Sequence, residues 1–175
     1  MSGPEDIDSL GEAGEIGRMQ SFEELKALLL PYPCGISYKS TSVEPAPGIL
    51  FPEIFSASKI LYTIQPIATL IPADEAAAAQ VVVSRRPAFI FVPGRAFDGT
   101  GTRHGKGAGW YDRFLGVVPQ EWLRIGICYT EQFSSESLIR ESWDEPMDFI
   151  CVAGKYSGET TCYETFARTK GGLVY

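Results

Sequence analysis

The pattern of apolar and polar residues predicts helices in four segments of the chain. In the first, leucines within 25–29 recur at helical spacing behind the S-x-x-E sequence of 21–24, which fits a capping box. In the second, an alanine-rich run opens with two acids, the charge that a helix N-terminus favours. The predicted helices cover 22–30, a stretch that begins with 74–80 and ends before Pro87, 109–115 and 134–139.

Short apolar runs between these helices predict strands. The run A-F-I-F-V at 88–92 shows no polar alternation, which is typical of a strand buried on both faces of a parallel sheet. A proline-rich stretch, 40–52, is expected to be a loop. Because strands and helices alternate, we predict an α/β fold, a single domain with a mostly parallel sheet flanked by helices. The predicted strands are 34–38, 60–64, 67–71, 88–92, 123–129 and 149–152.

The two ends of the chain lack this pattern. Residues 1–20 are rich in Gly, Glu, Asp and Ser, and we expect a flexible acidic leader there. Residues 154–175 are polar and Gly-rich, and we expect a surface tail. The α/β domain is then predicted to span 21–153, since a chain of 175 residues suits one domain.

Composition narrows the class of protein. Hydrophobic residues make up 45% of the chain and charged residues 21%, which is ordinary globular usage. No apolar run approaches the roughly 20 residues of a membrane span, and no secretory signal is visible, so we expect a cytoplasmic protein without a membrane partner. Four scattered cysteines and one histidine argue against a zinc site and predict reduced core thiols.

Charge is unevenly distributed. The net charge is −7, yet residues 85–113 carry six basic and two acidic side chains. An acidic protein with one basic stretch does not have the broad basic face that duplex DNA requires, so we expect no nucleic-acid partner. A local cationic region favours a small anionic ligand such as a phosphate or carboxylate.

Residues 92–113 combine glycines with basic and aromatic side chains. They follow a predicted buried strand and lead into a predicted helix, which is where ligands bind in open α/β sheets. Gly105, Gly107 and Gly109 allow a ligand to approach the backbone, and Arg103 and Lys106 add positive charge, so we predict an anion site. The spacing fits neither a Walker A loop nor the G-x-G-x-x-G dinucleotide loop.

The order of motifs in this region resembles one enzyme family. V-P-G-x-A-F-D is followed by G-x-R-x-G-x-G-x-G-x-Y-D, then by an apolar strand and an acid pair before another strand. This order, over 88–152, resembles the 5-formyltetrahydrofolate cyclo-ligases, also called methenyltetrahydrofolate synthetases. The resemblance implies an α/β enzyme that uses ATP and Mg²⁺. It would close 5-formyltetrahydrofolate to 5,10-methenyltetrahydrofolate and release ADP and phosphate.

The resemblance also implies roles for individual residues. The nucleotide loop would comprise Arg103, His104, Gly105, Lys106, Gly107, Ala108, Gly109, Trp110 and Tyr111. The folate would contact Lys106, Gly107, Ala108, Gly109 and Trp110, with Trp110 and Tyr111 stacking on the pterin or shaping its slot. The implied catalytic residues are Arg103, Lys106 and Tyr111. Mg²⁺ would be held by Asp112 and Asp148, with Asp144 in a supporting role.

The chain departs from the family pattern at several positions. His104 replaces a usually apolar residue, and Trp110-Tyr111 replaces a tyrosine pair. The family's N-terminal helix carries basic residues that reach the ATP phosphates, whereas the first 25 residues here offer only Arg18. The family's glutamate near the folate finds its nearest match at Glu15-Ile16. Two alternatives stay open: a non-catalytic nucleotide- or folate-binding relative, and an enzyme that activates a different carboxylate or amide with ATP.

Overall fold

Strands alternate with helices along most of the chain. The computed structural model describes residues 18–57 and 59–168. Its strands are β1 (Arg18–Gln20), β2 (Cys34–Tyr38), β3 (Ile60–Ile64), β4 (Ala88–Val92), β5 (Ala96–Asp98), β6 (Arg103–His104), β7 (Leu123–Tyr129), β8 (Phe133–Ser134), β9 (Phe149–Ala153) and β10 (Thr160–Glu164). Its helices are α1 (Phe22–Leu29), α2 (Pro47–Leu50), α3 (Pro52–Ser56), α4 (Pro72–Val83) and α5 (Trp110–Val117). None of these described helices has the length and apolar character that crossing a membrane requires.

Seven of the described strands form one sheet, in the order β1-β10-β9-β7-β4-β2-β3. Neighbours pair in parallel from β9 through β7, β4 and β2 to β3. Strands β10 and β1 extend the sheet with antiparallel pairings. The predicted fold class, a single α/β domain with a mostly parallel sheet flanked by helices, is confirmed.

Strand β4 explains why the parallel strands are unbroken apolar runs. All five of its residues are buried. Ala88, Ile90 and Val92 belong to the core cluster that includes residues of α4 and α5. Phe89 and Phe91 belong to a second cluster, with residues of α1 and α3. Helices therefore cover both faces of the sheet, and no position on the strand is left for a polar side chain.

A small second sheet, β6-β5-β8, is built on the segment that follows β4. Asp98, at the end of β5, is 1% exposed. Its carboxylate accepts hydrogen bonds from the backbone N–H groups of Thr100, Thr102 and Leu138 and from the Thr100 hydroxyl. These bonds tie the turn between β5 and β6 to the chain near residue 138.

Two predicted elements are wrong. The segment predicted as a strand at 67–71 is a 3₁₀ turn, Ile67–Thr69, closed by a hydrogen bond from the Leu70 N–H to the Ile67 carbonyl. The prolines on either side of it, at 66 and 72, prevent ladder pairing. The helix predicted at 134–139 does not form. The Leu138 N–H there donates to Asp98 instead of an i−4 carbonyl.

The predicted loop at 40–52 contains more regular structure than expected. It holds helix α2 and the start of α3. Both helices begin with a proline, at positions 47 and 52. Proline favours the first turn of a helix because its missing N–H would have no intrahelical partner there. The prolines that suggested a loop therefore mark helix starts.

The predicted leader and tail both contribute strands. Residues 18–20 form β1, and residues 160–164 form β10. Cys162 in β10 is fully buried opposite Cys151 of β9, so this part of the chain belongs to the core sheet. Strand β1 lies at the edge of the sheet, where ladder hydrogen bonds to β10 hold it and leave little trace in the side-chain pattern. Residues 1–17 and 169–175 lie outside the described residues.

Candidate functional site

The carboxyl ends of β2, β3 and β4 border a cavity of about 740 Å³. Tyr38 and Ile64 close the first two of these strands, Pro93 follows the third, and all three residues line the cavity. The remaining wall comes mainly from the loop at 103–112 and the turn at 139–144. Ligands of open α/β sheets bind beyond the carboxyl ends of the strands. This cavity is therefore the candidate site.

Every residue of the predicted nucleotide loop, 103–111, lines this cavity. Gly107 and Gly109 have φ angles of +91° and +62°, in the left-handed region that favours glycine. A Cβ at Gly107 would meet no atom within 4 Å. The backbone conformation, and not crowding by protein atoms, requires glycine at this position, and the space beside it is open to a ligand.

Helix α5 begins directly after this loop. Its N-cap is Gly109, and no side chain caps the helix. The first N–H groups of a helix lack intrahelical acceptors and carry the positive end of the helix dipole, so they favour an anion. Lys106 is exposed on the loop that leads into the helix. Loop and helix together present the donors and charge that a phosphate group requires.

Arg103 is built into the cavity wall. Its side chain is 3% exposed, and its Nη2 lies 3.8 Å from Oδ2 of Asp112. Nη1 donates a hydrogen bond of 3.2 Å to the Pro93 carbonyl, and the guanidinium lies 5.3 Å from the centre of the Tyr111 ring. Burial lowers the pKa of Arg103, and the charge of Asp112 opposes that effect. Arg103 thus supplies positive potential and holds the loop in place.

The two aspartates predicted to bind magnesium are in different environments. Asp112 lines the cavity, and its Oδ1 accepts a hydrogen bond of 3.0 Å from the Glu145 N–H. Asp148 does not line the cavity and is 1% exposed. Its Oδ2 accepts hydrogen bonds of 2.8 Å from the Arg124 N–H and 2.9 Å from Arg168 Nη1. Asp148 directly precedes β9, at the amino end of a parallel strand, whereas the cavity borders the carboxyl ends. The structure therefore does not bring Asp148 into the site.

Trp110 and Tyr111 have no free ring face of the kind predicted for stacking. Trp110 is 6% exposed, stacks on Phe114 with ring centres 5.5 Å apart, and donates its indole N–H to the Leu70 carbonyl. Tyr111 is 5% exposed, with Arg103 over its ring. Burial raises the pKa of the Tyr111 phenol far above its ordinary value, so this hydroxyl stays protonated. Both rings are therefore buried parts of the cavity wall.

The turn at 139–144 forms the wall beside the glycine loop. His104 Nε2 donates a hydrogen bond of 2.7 Å to the Ile139 carbonyl, since a carbonyl oxygen can only accept. The Asp144 carboxylate accepts from the Glu141 N–H at 2.8 Å, which closes the end of the turn. His104, which departs from the family pattern, therefore joins the loop to the turn. Asp144 lines the cavity, as a supporting role requires.

Four charged residues that line the cavity were not named as site residues by the sequence analysis. They are Lys39, Glu44, Arg95 and Glu141. Glu44 follows strand β2, and its carboxylate accepts a hydrogen bond of 2.9 Å from the Thr41 N–H. Glu44 lies in the proline-rich segment that the sequence analysis interpreted as a loop, so it was not singled out. The match suggested at Glu15-Ile16 lies outside the described residues.

The described residues do not assemble a protein cage for a metal. No group of three or more His, Cys, Asp or Glu side chains in them is arranged to hold an ion. Asp148 is paired with Arg168, and Asp112 faces Arg103. The predicted aspartate pair therefore does not fit Mg²⁺. Magnesium is often bound mainly by substrate phosphates and waters, an arrangement that needs no such cage.

Known proteins match this chain both in sequence and in structure. The model of the 5-formyltetrahydrofolate cyclo-ligase family matches residues 15–153. A 5-formyltetrahydrofolate cyclo-ligase from Mycoplasma genitalium is 36% identical over 64 residues, which span 37% of this chain and 38% of that relative. A solved 5,10-methenyltetrahydrofolate synthetase from Mycoplasma pneumoniae superposes with a TM-score of 0.51 and 20% identity, over 73% of this chain and 79% of that one. At this identity, the structural match shows a shared fold.

Proposed function

The chain belongs to the 5-formyltetrahydrofolate cyclo-ligase family, and we propose that it catalyses the ATP-driven cyclisation of 5-formyltetrahydrofolate to 5,10-methenyltetrahydrofolate. One observation carries this proposal. The glycine loop, the uncapped start of α5 and Glu44 line a single cavity of about 740 Å³. A phosphate site and a carboxylate in one cavity are what a reaction between ATP and a pterin needs. The buried, free cysteines suit a reducing compartment, and we place the reaction in the cytoplasm.

The proposed chemistry has two bond-forming steps. The formyl oxygen attacks the γ-phosphorus of ATP, and the bond to ADP breaks. N10 of the folate then attacks the activated formyl carbon and loses its proton. Cleavage of the carbon–oxygen bond releases phosphate and leaves a methenyl bridge between N5 and N10. Such transfers depend on positioning and charge neutralisation more than on covalent catalysis by the protein.

Lys106 and the loop backbone would bind the transferred phosphoryl group. Lys106 is exposed on the loop and can follow the phosphate as charge moves towards ADP. The N–H groups at the start of α5 are held in place before ATP binds, so they stabilise developing charge without reorganisation. Arg103 would act from behind the loop as a fixed positive charge, and the protonated Tyr111 would hold its guanidinium.

The part of the cavity wall that carries Glu44 would receive the folate. Glu44 can accept hydrogen bonds from the N–H groups of a pterin ring, and it is held towards the cavity by the Thr41 N–H. Lys39 and Arg95 are exposed residues that line the same cavity. We propose that they bind the ATP phosphates, in place of the basic residues that the family carries on its N-terminal helix.

Magnesium would accompany the nucleotide. Mg²⁺ on ATP phosphates neutralises their charge, and it keeps much of its water shell when few protein carboxylates are present. Asp112 and Asp148 do not meet in this cavity. We therefore expect Lys106, the loop backbone and the basic side chains of the cavity wall to neutralise the phosphates.

A second candidate is a nucleotide- or folate-binding relative without catalysis. It is favoured by the burial of Arg103, which the family resemblance had implied as a catalytic residue. Absorbance of the methenyl product, measured with ATP, Mg²⁺ and 5-formyltetrahydrofolate, separates the two. The enzyme forms product and ADP together. The binding relative gives heat of binding in isothermal titration but no product. Release of ADP only with another carboxylate or amide would indicate a different substrate.

A further inference from the structure

We propose that Trp143 is the surface on which a planar heteroaromatic ring of a substrate stacks in this cavity. The inference rests on the proposed function for the identity of that ring, which is the pterin of the folate or the adenine of ATP. Both rings offer the same chemistry to an indole, a flat π-system with polar edges. The stacking role that the family resemblance implied for Trp110 and Tyr111 thereby moves to the turn at 139–144.

Exposure distinguishes Trp143 from the other tryptophans of the chain. Its side chain is 68% exposed, whereas Trp110 and Trp122 are 6% and 2% exposed. Tryptophan is on average a well-buried residue, because exposing an indole leaves a large apolar surface in water. Trp143 lines the cavity, so a ligand there can cover this surface.

The other aromatic rings of the cavity wall are already occupied. Besides Trp143 these are Tyr38, Trp110 and Tyr111. Tyr38 is 4% exposed, and its hydroxyl donates to the Pro45 carbonyl at 2.7 Å. Trp110 stacks on Phe114, and Tyr111 carries Arg103 over its ring. Among these four aromatic residues, Trp143 alone offers an exposed ring to a ligand.

The backbone that carries Trp143 is already positioned. The Asp144 N–H donates to the Glu141 carbonyl at 3.1 Å, and the Glu141 N–H donates to the Asp144 carboxylate at 2.8 Å. Upstream, Arg140 donates from Nη2 to the Thr100 carbonyl at 2.7 Å. Ordering this turn on binding therefore costs little free energy, and more of the stacking energy is available as affinity for the ligand.

Replacement of the ring in the full chain tests the proposal. Isothermal titration gives the Kd of Mg²⁺·ATP and of 5-formyltetrahydrofolate for the wild type, Trp143→Leu and Trp143→Phe. Stacking of a base on an aromatic side chain predicts that Trp143→Leu weakens one of these ligands by about 5-fold to about 100-fold. Trp143→Phe retains a ring and is expected to keep most of the affinity. The weakened ligand identifies the ring as pterin or adenine.

Two controls make the result specific. Tyr156→Leu removes an aromatic side chain that is 94% exposed and does not line the cavity, and both affinities should stay at the wild-type value. Inorganic tripolyphosphate, which has no ring, should bind Trp143→Leu and wild type equally. Unchanged affinity of Trp143→Leu for both ligands overturns the proposal, and so does a wild type that binds neither.

The outcome for Trp143 is separable from that for the proposed reaction. A Trp143→Leu variant with weakened ligand binding, in a protein whose wild type makes no methenyl product, supports the stacking role and rejects the cyclisation. A wild type that makes product, with a Trp143→Leu variant of unchanged affinity for both substrates, supports the cyclisation and rejects the stacking role.

Discussion

The guanidinium of Arg103 lies 3.8 Å from the carboxylate of Asp112, and only 3% and 13% of these side chains are exposed. The pair joins β6 to the first turn of α5 and so brackets the glycine loop. Removing the negative charge leaves the buried Arg103 without its ion-pair partner. We expect Asp112→Asn to lower the free energy of unfolding by about 1–3 kcal/mol, measured by urea denaturation.

Asp74→Asn is the matched control for this variant. Asp74 also lies in the first turn of a helix, α4, but it is exposed and outside the cavity. Loss of its interaction with the helix dipole should cost under about 1 kcal/mol. Equal losses in the two variants would contradict the role of the ion pair. If Asp112 instead binds magnesium, the ATP affinity of Asp112→Asn would stop responding to Mg²⁺, whereas we expect that response to survive.

Gly107 should be needed for binding more than for stability. Its φ of +91° strains any other residue, so Gly107→Ala should cost about 1–2 kcal/mol of unfolding free energy. ATP affinity should fall further, because the loop shifts its N–H groups away from the phosphate. Gly158→Ala imposes a similar strain, at φ +71°, with no atom within 4 Å of the new Cβ and no place in the cavity. Parallel losses of stability with unchanged affinity in both variants would show that Gly107 serves only the fold.

Lys106 should contribute to ATP affinity through charge. Lys106→Ala should raise the Kd for ATP by about 10-fold to about 100-fold, as expected for a charge-assisted contact. The difference from wild type should shrink as salt is added, because ions screen an exposed charge. Lys155→Ala removes an exposed lysine outside the cavity and should leave the Kd unchanged. A loss of affinity that salt does not alter would argue against phosphate contact.

Asp148 should stabilise the fold and leave the magnesium response intact. Asp148→Asn leaves Arg168 without its carboxylate, and breaking a buried pair costs about 3 kcal/mol or more. Arg168→Gln removes the same pair from its more exposed side, and it gives a second measurement if Asp148→Asn does not fold. A folded Asp148→Asn protein whose ATP affinity no longer depends on Mg²⁺ would restore Asp148 as a metal ligand.

The sequence predicts the fold best where side chains decide it. The run at 88–92 is apolar at every position because both faces of β4 are covered, and that pattern needs no tertiary information. Strand β1, at 18–20, is held by backbone pairing with β10 and lies beyond what side-chain patterning can show. Prolines were ambiguous for a similar reason, since they end helices and also begin them, as at Pro47 and Pro52.

At the site, too, the sequence predicts local features and does not predict tertiary contacts. The spacing of glycines at 105–109 predicts a loop that lines the cavity, because their conformational freedom is a local property. The environment of Asp148 depends on Arg168, and no local pattern reveals that pairing. The exposure of Trp143 depends on how the turn at 139–144 lies against the loop, which only the folded chain determines.

The fate of the formyl oxygen tests the central claim most directly. Transfer of the γ-phosphoryl group to that oxygen, followed by cleavage of the carbon–oxygen bond, must carry the oxygen into the released phosphate. With 5-formyltetrahydrofolate labelled by heavy oxygen in the formyl group, mass spectrometry of the phosphate should find the label in step with formation of the methenyl product. Unlabelled phosphate, or ADP release without any methenyl product, would contradict the account.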